Sequence, residues 1–448
     1  MRLCEMTLEE LIRPEGFACQ CGRHHQAGLK FVRIGRGAVA ALPEALKTLG
    51  VQKPFIVCDQ NTKAAAWEKV RAVLKAAGIE GVLFCFPWAH IEPDERAVGS
   101  LTMAFDPACD GVIAIGSGVI NDCCKVLCHA AGRPQLTVCT APSMDGYASD
   151  SSSMIVNRVK TSVYNACPAA LIADTEILRT APDRMLWAGL GDMLAKYIAA
   201  CEWRITALIN GEYYCEEIAE LMRRSLRKIV AAAPRLMERD DETLAAVTEG
   251  LILSGIAMAF ARISRPASGL EHYFSHMWEM FNLNRGLPAE LHGIQVGVGT
   301  VLCLKIYEKL RGVRPDPAVF QRAAEAFDEG EWEREMRRVM GGSAQALLEA
   351  EKNDWHNNDP AQRARRFECI LKNWDTILRI MEEELPDMQT LLRIMEATGM
   401  PMLPSDIGES AQDVRDAFLY SRSARKKYLT STMLWDMGML EEFLPVLA

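Results

Sequence analysis

Short apolar runs alternate with helix-forming stretches through the first ~175 residues, a pattern that restricts the chain to βαβ units on a parallel sheet. The runs Phe31–Ile34, Phe55–Cys58, Val82–Phe86, Val112–Ile115 and Leu136–Cys139 are the predicted strands, separated by segments such as Lys63–Ala77. Ser153–Val156 and Thr161–Tyr164 flank an Asn157-Arg158 step that reads as the turn of a projecting β-hairpin. Ala170–Ala173 gives one more buried run, ending at Asp174. After Pro182 the period changes to that of helices, predicted over Arg184–Leu208, Glu212–Ala232, Glu242–Ile263, Leu270–Phe281 and Glu290–Leu310, with more to the C-terminus. A chain of 448 residues is too long for one small core. The expectation is a Rossmann-like α/β domain (1–176) followed by an all-α domain (177–448), with a site in the cleft between them.

Bulk properties exclude several classes of function. Apolar residues make up 49% and charged residues 24%, a globular balance that leaves no disordered tract. The net charge of −9, with Lys and Arg scattered, provides no electrostatic footprint for nucleic acid. Glu5, Glu9 and Glu10 stand where a secretory signal needs a basic start, and the apolar stretch Ile294–Leu304 is too short to span a bilayer. A cytoplasmic protein with no membrane span is expected. The fifteen cysteines are an odd number, and many sit inside apolar runs, which suits reduced thiols better than a disulfide framework.

A nucleotide site is indicated by Gly111-Val112-Ile113-Ala114-Ile115-Gly116-Ser117-Gly118-Val119-Ile120-Asn121-Asp122. A buried strand enters a Gly-Ser-Gly turn and then a helix, whose N-terminus offers N–H groups and a positive dipole end to a pyrophosphate. The third glycine of the GxGxxG fingerprint is missing. Asp59, ending the Phe55–Cys58 run, suits the two hydroxyls of an adenosine ribose and would repel a 2′-phosphate, which favours NAD(H) over NADP(H). The same aspartate also suits a helix N-cap. Thr140-Ala141-Pro142-Ser143-Met144-Asp145-Gly146-Tyr147 leaves another strand at the end where open α/β sheets bind ligands.

Metal-binding residue types cluster in the helical half. Asp192 lies between glycines and apolar residues in Gly189-Leu190-Gly191-Asp192-Met193. His272 and His276, four apart, share a helix face, and His292 follows in Glu290-Leu291-His292-Gly293. Three of the eight histidines thus fall within 272–292. One Asp with two His leaves a coordination position open, as a catalytic cation requires.

Taken in series, Gly116-Ser117-Gly118-x-Ile120-Asn121-Asp122, Thr140-Ala141-Pro142-Ser143-x-Asp145-Gly146-Tyr147-x-Ser149, Gly189-x-Gly191-Asp192 and Ser268-Gly269-x-Glu271-His272-x-x-x-His276 resemble the sn-glycerol-1-phosphate dehydrogenase family. That family belongs to the dehydroquinate synthase and iron-containing alcohol dehydrogenase superfamily. The likeness runs over roughly residues 30–310. The resemblance implies that Gly116, Ser117, Gly118, Val119 and Ile120, with Thr140, Ala141, Pro142 and Ser143, hold the dinucleotide, with Ser149 nearby. It implies a substrate contact at Asp145, a divalent metal on Asp192, His272 and His292, and a substrate-facing His276. The implied reaction is reversible reduction of dihydroxyacetone phosphate to sn-glycerol 1-phosphate, by an enzyme that forms a dimer or larger homo-oligomer. Zinc leads as the metal, with nickel and iron suited to the same donors. Lys160, Arg262 and Arg265 are candidates by position for the substrate phosphate.

Other readings share parts of this pattern. A glycerol or polyol dehydrogenase would take an unphosphorylated substrate, and a dehydroquinate synthase-like lyase would recycle its cofactor. A non-catalytic cofactor-binding protein would have no use for an open metal position. Cys19-Gln20-Cys21-Gly22-Arg23-His24-His25 has the look of a small metal clip, but these neighbours alone do not close a four-ligand structural site.

Overall fold

The computed structural model describes residues 2–157 and 159–448. Two compact units make up the chain: residues 1–193 with 215–266, and residues 194–214 with 267–448.

A six-stranded sheet forms the heart of the first unit. Its strands are β3 (Phe31–Gly35), β4 (Pro54–Cys58), β5 (Val82–Cys85), β6 (Gly111–Gly116), β7 (Gln135–Cys139) and β10 (Ala170–Asp174). They lie in the order β3-β10-β7-β6-β4-β5, and every pairing is parallel. β4, β6, β7 and β10 are buried along their whole length, as continuous apolar runs covered on both faces must be. Alternate residues feed two cores: Ile56, Ile113 and Ile115 point to one, Phe55, Val57, Val112 and Ala114 to the other. Each valine, isoleucine or phenylalanine side chain among them contributes about 1.5–3 kcal/mol when removed from water. The predicted strands all form, within a residue or two of their expected ends.

Two short strands precede the sheet, β1 (Phe17–Ala18) and β2 (His24–His25), paired antiparallel. The expected hairpin is β8 (Ser151–Val156) with β9 (Val159–Tyr164), in register Val156↔Val159. Asn157 takes the left-handed conformation that such a turn demands (φ 52°), and Arg158, the other expected turn residue, lies outside the described residues.

The first unit also takes in the Glu216–Ala232 and Asp241–Ala261 helices, which pack together, the second also against β3 and the Gly146–Ala148 turn. Although they follow the expected boundary at 176/177, these two helices belong to the same compact unit as the sheet. Asp241–Ala261 carries the most membrane-like apolar stretch of the described helices, displacing Ile294–Leu304 from that position. Its length and composition would suffice to cross a bilayer, yet it is mostly covered by protein.

The second unit is helical. Its centre is the pair Leu270–Arg285 and His292–Leu310, joined by Lys196–Asn210 and the later helices, including Pro360–Glu384. A Cβ on Gly299 would sit 2.6 Å from the Glu271 carbonyl oxygen, so the central pair approaches at a distance only glycine permits. The helix predicted over 184–208 is two, Asp183–Leu194 and Lys196–Asn210, interrupted at Ala195. Alanine gives no breaker signal, and the apolar period continues across the gap. The helix expected from Glu212 starts at Glu216, because Gly211 ends its predecessor in a left-handed turn.

Candidate active site

Within the first unit, the three candidate cofactor segments come together at the carboxyl ends of neighbouring strands. Asp59 follows β4, Gly116-Ser117-Gly118 ends β6, and Thr140–Ser143 follows β7. The chain runs outward from β4 to β5 on one side and from β6 to β7 on the other. The gap between β4 and β6 is therefore a topological switch point, where open α/β sheets bind nucleotides.

Local sequence explains this shape. A Cβ on Gly116 would lie 2.5 Å from Cβ of Ile120, so strand and helix meet closely enough to exclude any side chain there. The Gly118–Ala131 helix opens at once, and its first N–H groups, Gly118, Val119 and Ile120, are ones a helix cannot pair internally. Thr140 N–H donates to the Gly116 carbonyl at 3.1 Å, and Tyr147 Oη donates to the Ala141 carbonyl at 2.7 Å. The Ser117 and Ser143 hydroxyls bond to each other. Behind this loop, the Asp183–Leu194 helix crosses at Gly189, where a Cβ would fall 1.9 Å from the Pro142 carbonyl oxygen.

Asp59 does act as an N-cap: its Oδ1 accepts from Thr62 N–H at 2.7 Å, and it remains half-buried at the end of β4. Ser149 is buried and saturated, accepting from Lys125 Nζ at 3.1 Å while its hydroxyl lies 3.0 Å from the Gly146 and Ser151 carbonyls. Buried Lys125 also donates to the Gly146 and Ser151 carbonyls, so it braces the loop from beneath. Asp145 accepts from Ser254 Oγ at 2.7 Å, and its N–H donates to Asp192 Oδ2 at 2.9 Å.

Within the second unit, His272, His276 and His292 form a compact group. His272 and His292 have ring centroids 5.3 Å apart, and His276 stacks on His292 at 5.4 Å. Each ring is oriented through Nδ1. That of His272 lies 2.8 Å from Glu271 Oε1, that of His276 3.4 Å from Glu279 Oε2, and that of His292 2.9 Å from Ser275 Oγ and 3.3 Å from Glu279 Oε1. For His272, donation to a carboxylate fixes the tautomer whose Nε2 carries a lone pair, the state in which histidine binds a metal. Burial, and then the positive charge of Arg425, hold the His276 pKa well below the ordinary histidine value, so this ring is neutral at neutral pH.

Glu271 and Glu279 are site residues for which the sequence reading assigned no role. Glu271 is fully buried and also accepts from Gly269 N–H at 2.6 Å. The signal available for Glu279 was its position three residues after His276 on one helix. Glu202 completes the support, accepting from Leu270 N–H at 3.1 Å and from Thr430 N–H at 2.8 Å.

Of the residues offered for a substrate phosphate, Arg262 lines a 360 Å³ cavity with Arg133, Gln135, Asp150 and Asn165. Gln135 begins β7, so this cavity lies at the amino end of the sheet, opposite the Gly116–Gly118 turn. Arg265 is buried and Lys160 half-buried on β9.

A family model described as iron-containing alcohol dehydrogenase matches residues 33–182. A glycerol-1-phosphate dehydrogenase [NAD(P)+] of Halalkalibacterium halodurans is 34% identical over 65% of this chain and 74% of its own length. That of Bacillus licheniformis is 31% identical over 75% of this chain and 86% of its own. The chain belongs to the glycerol-1-phosphate dehydrogenase family. A third relative, from Pyrococcus horikoshii, is 35% identical over 60% of this chain and 76% of its own. Among solved structures, a probable glycerol dehydrogenase from Sinorhizobium meliloti aligns with a TM-score of 0.61 at 15% identity, covering 94% of this chain and 99% of its own. That likeness shows the shared fold: a parallel nucleotide-type sheet with a large helical part.

Proposed function

We propose that this chain is an oxidoreductase that interconverts dihydroxyacetone phosphate and sn-glycerol 1-phosphate with a nicotinamide dinucleotide and a divalent cation. The observation that carries the reading is the compact histidine group, with its nitrogens oriented by Glu271, Ser275 and Glu279, in a chain of this family. We assign the cation to Asp192, His272 and His292, the residues that the resemblance implies for it. A carboxylate and two imidazoles fit zinc first, and nickel or iron also, and leave a coordination position for substrate. When bound, such a cation supplies Lewis-acid polarisation of the substrate carbonyl.

The dinucleotide is assigned to Gly116, Ser117, Gly118, Val119 and Ile120 for the pyrophosphate, and to Thr140, Ala141, Pro142 and Ser143 beside it. Ser149 supports that loop through Lys125. Asp59 meets the adenosine ribose with the carboxylate oxygen opposite its capping one, which sets NAD(H) ahead of NADP(H). Asp145, anchored by Ser254, orients substrate hydroxyls. His276, held neutral, exchanges the proton at the substrate oxygen.

The test is turnover of dihydroxyacetone phosphate with NADH by the purified full chain, scored for the stereochemistry of the glycerol phosphate formed. sn-Glycerol 1-phosphate is the expected product, with activity lost on chelation and regained with zinc. Turnover of unphosphorylated glycerol or dihydroxyacetone alone would overturn the substrate assignment. Undiminished activity in metal-free protein would overturn the cation's role.

A further inference from the structure

We propose that Cys19, Cys21, His25 and Cys215 form a second metal centre, a closed tetrahedral zinc site that staples the β1–β2 hairpin to the start of the Glu216–Ala232 helix. All four residues lie in the first unit. One ligand atom from each falls within 4.8 Å of the others. Cys19 Sγ is 3.6 Å from Cys215 Sγ, Cys21 Sγ is 3.3 Å from His25 Nε2, and Cys215 Sγ is 3.7 Å from His25 Nε2. With Zn–S near 2.3 Å and Zn–N near 2.0–2.1 Å, the edges of a tetrahedron come to about 3.5–3.8 Å. The Cys19–Cys215 and Cys215–His25 separations match those edges and the Cys21–His25 one is slightly shorter, while the two sulfurs stand far beyond an S–S bond of about 2.05 Å.

The surroundings are those of a metal ligand set. His25 is fully buried, and its Nδ1 lies 3.0 Å from the Phe260 carbonyl oxygen. A carbonyl there accepts only from a protonated Nδ1, so the Nε2 lone pair points at the thiols. The imidazole stacks on Phe260, which excludes water on that side. Cys215 is fully buried at the N-cap of its helix, where the dipole favours a thiolate. Without a cation, burial pushes the Cys215 thiol up to about 12. Burial first, and then the nearby charges of Arg23 and Arg262, hold His25 below its ordinary value. On zinc binding three thiol protons pass to solvent, and the resulting single negative charge faces those two guanidinium groups.

Four protein ligands leave no position for substrate, so this centre is structural where the histidine site is open. It ties together residues 196 apart in sequence. The same helix is held by the chain's first residues, since Leu3 N–H donates to Glu217 and Arg224 donates to the Cys4 carbonyl. Nothing in this inference depends on the catalytic assignment.

The test measures zinc stoichiometry and zinc-edge X-ray absorption on the full chain and on Cys215→Ser, both purified with zinc and without chelator. The wild type is expected to hold one more zinc per chain than the variant, with a sulfur shell at about 2.3 Å. Should Cys215→Ser fail to fold, cobalt-substituted wild type is read alone, for thiolate-to-cobalt charge-transfer absorption that a thiol-blocking reagent abolishes. A fully zinc-loaded wild type with only nitrogen and oxygen ligands would overturn the proposal. So would a Cys19–Cys215 disulfide found in the protein purified under reducing conditions.

Discussion

Glu271→Gln is the substitution that bears most directly on the histidine site. Glu271 Oε1 accepts from both His272 Nδ1 and Gly269 N–H, while Oε2 is buried with no hydrogen-bond partner. Glutamine is nearly isosteric, and its only workable orientation puts the amide oxygen at Oε1 and the NH2 at Oε2. The reverse would set donor against donor twice. Both bonds then change from charge-assisted to neutral, each weaker by about 1–1.5 kcal/mol. The share acting through His272 lowers the basicity of Nε2 and is expected to raise the metal dissociation constant about tenfold, at the lower end of the usual effect of such partners. The NH2 becomes a buried donor without an acceptor and costs about 1–3 kcal/mol of stability. The assay is reconstitution of metal-free protein across buffered free-zinc concentrations, reading initial rate and melting temperature together. Activity should be recovered at saturating zinc with its midpoint displaced. An unmoved zinc midpoint in a folded variant would refute the claim that Glu271 acts through His272.

Four further outcomes follow from other parts of the chain. Gly189→Ala sets a Cβ against the Pro142 carbonyl, so the loop must shift by more than 1 Å at a cost of about 1–3 kcal/mol, and KM for the dinucleotide should rise with little change in metal affinity. Asp59→Ala removes a helix cap worth about 0.5–2 kcal/mol and, by steady-state comparison of the two reduced cofactors, should erode the preference for NADH; a wild type that prefers NADPH would already contradict the ribose argument. Asp436→Asn leaves buried Arg366, now bonded at 2.8 Å through two nitrogens, without its counter-charge, and should cost about 3–5 kcal/mol by denaturant or thermal unfolding. Burial, chiefly, raises the Asp150 pKa, so the folded state binds this proton more tightly than the unfolded one; the cost of ionising it is present above the folded pKa and vanishes below the unfolded value. Asp150→Asn should therefore raise the melting temperature at neutral pH, with the gain shrinking as pH falls from the raised folded value to the ordinary aspartate one.

The sheet was legible because a parallel strand buried on both faces must be apolar throughout, and runs such as Val112–Ile115 can be little else. The cofactor turn was legible for a related reason, since Gly116 is demanded by a close approach and no other residue satisfies it. The histidine group was readable as residue types at helical spacing. Its carboxylate partners were not: Glu271 and Glu279 look like ordinary helix-surface acids until burial shows what they face. The packing of Asp241–Ala261 with the sheet was also hidden. A helix apolar on all sides announces that it is buried but not against what.

The metal clip shows the same limit more sharply. Cys19, Cys21 and His25 supply three donors within seven residues, and by spacing alone the set stays open, because the fourth donor stands 190 residues beyond His25. Cys215 carries no local motif; it follows Tyr213-Tyr214 and precedes an amphipathic helix, as a buried thiol would. What distinguishes it is placement at the N-cap of a helix packed against the Asp241–Ala261 helix that carries Phe260. The two histidine-bearing centres therefore differ in a way that composition could not express. One draws on imidazoles packed at 5.3–5.4 Å with carboxylates behind them, the other on thiols around a single ring. A closed set of thiolates and an imidazole holds zinc more firmly than an open set of imidazoles and a carboxylate. Mild chelation should therefore strip the histidine site first, abolishing turnover while the sulfur-bound equivalent and the melting temperature stay put. Simultaneous loss of both equivalents would show that the two centres are not chemically separate.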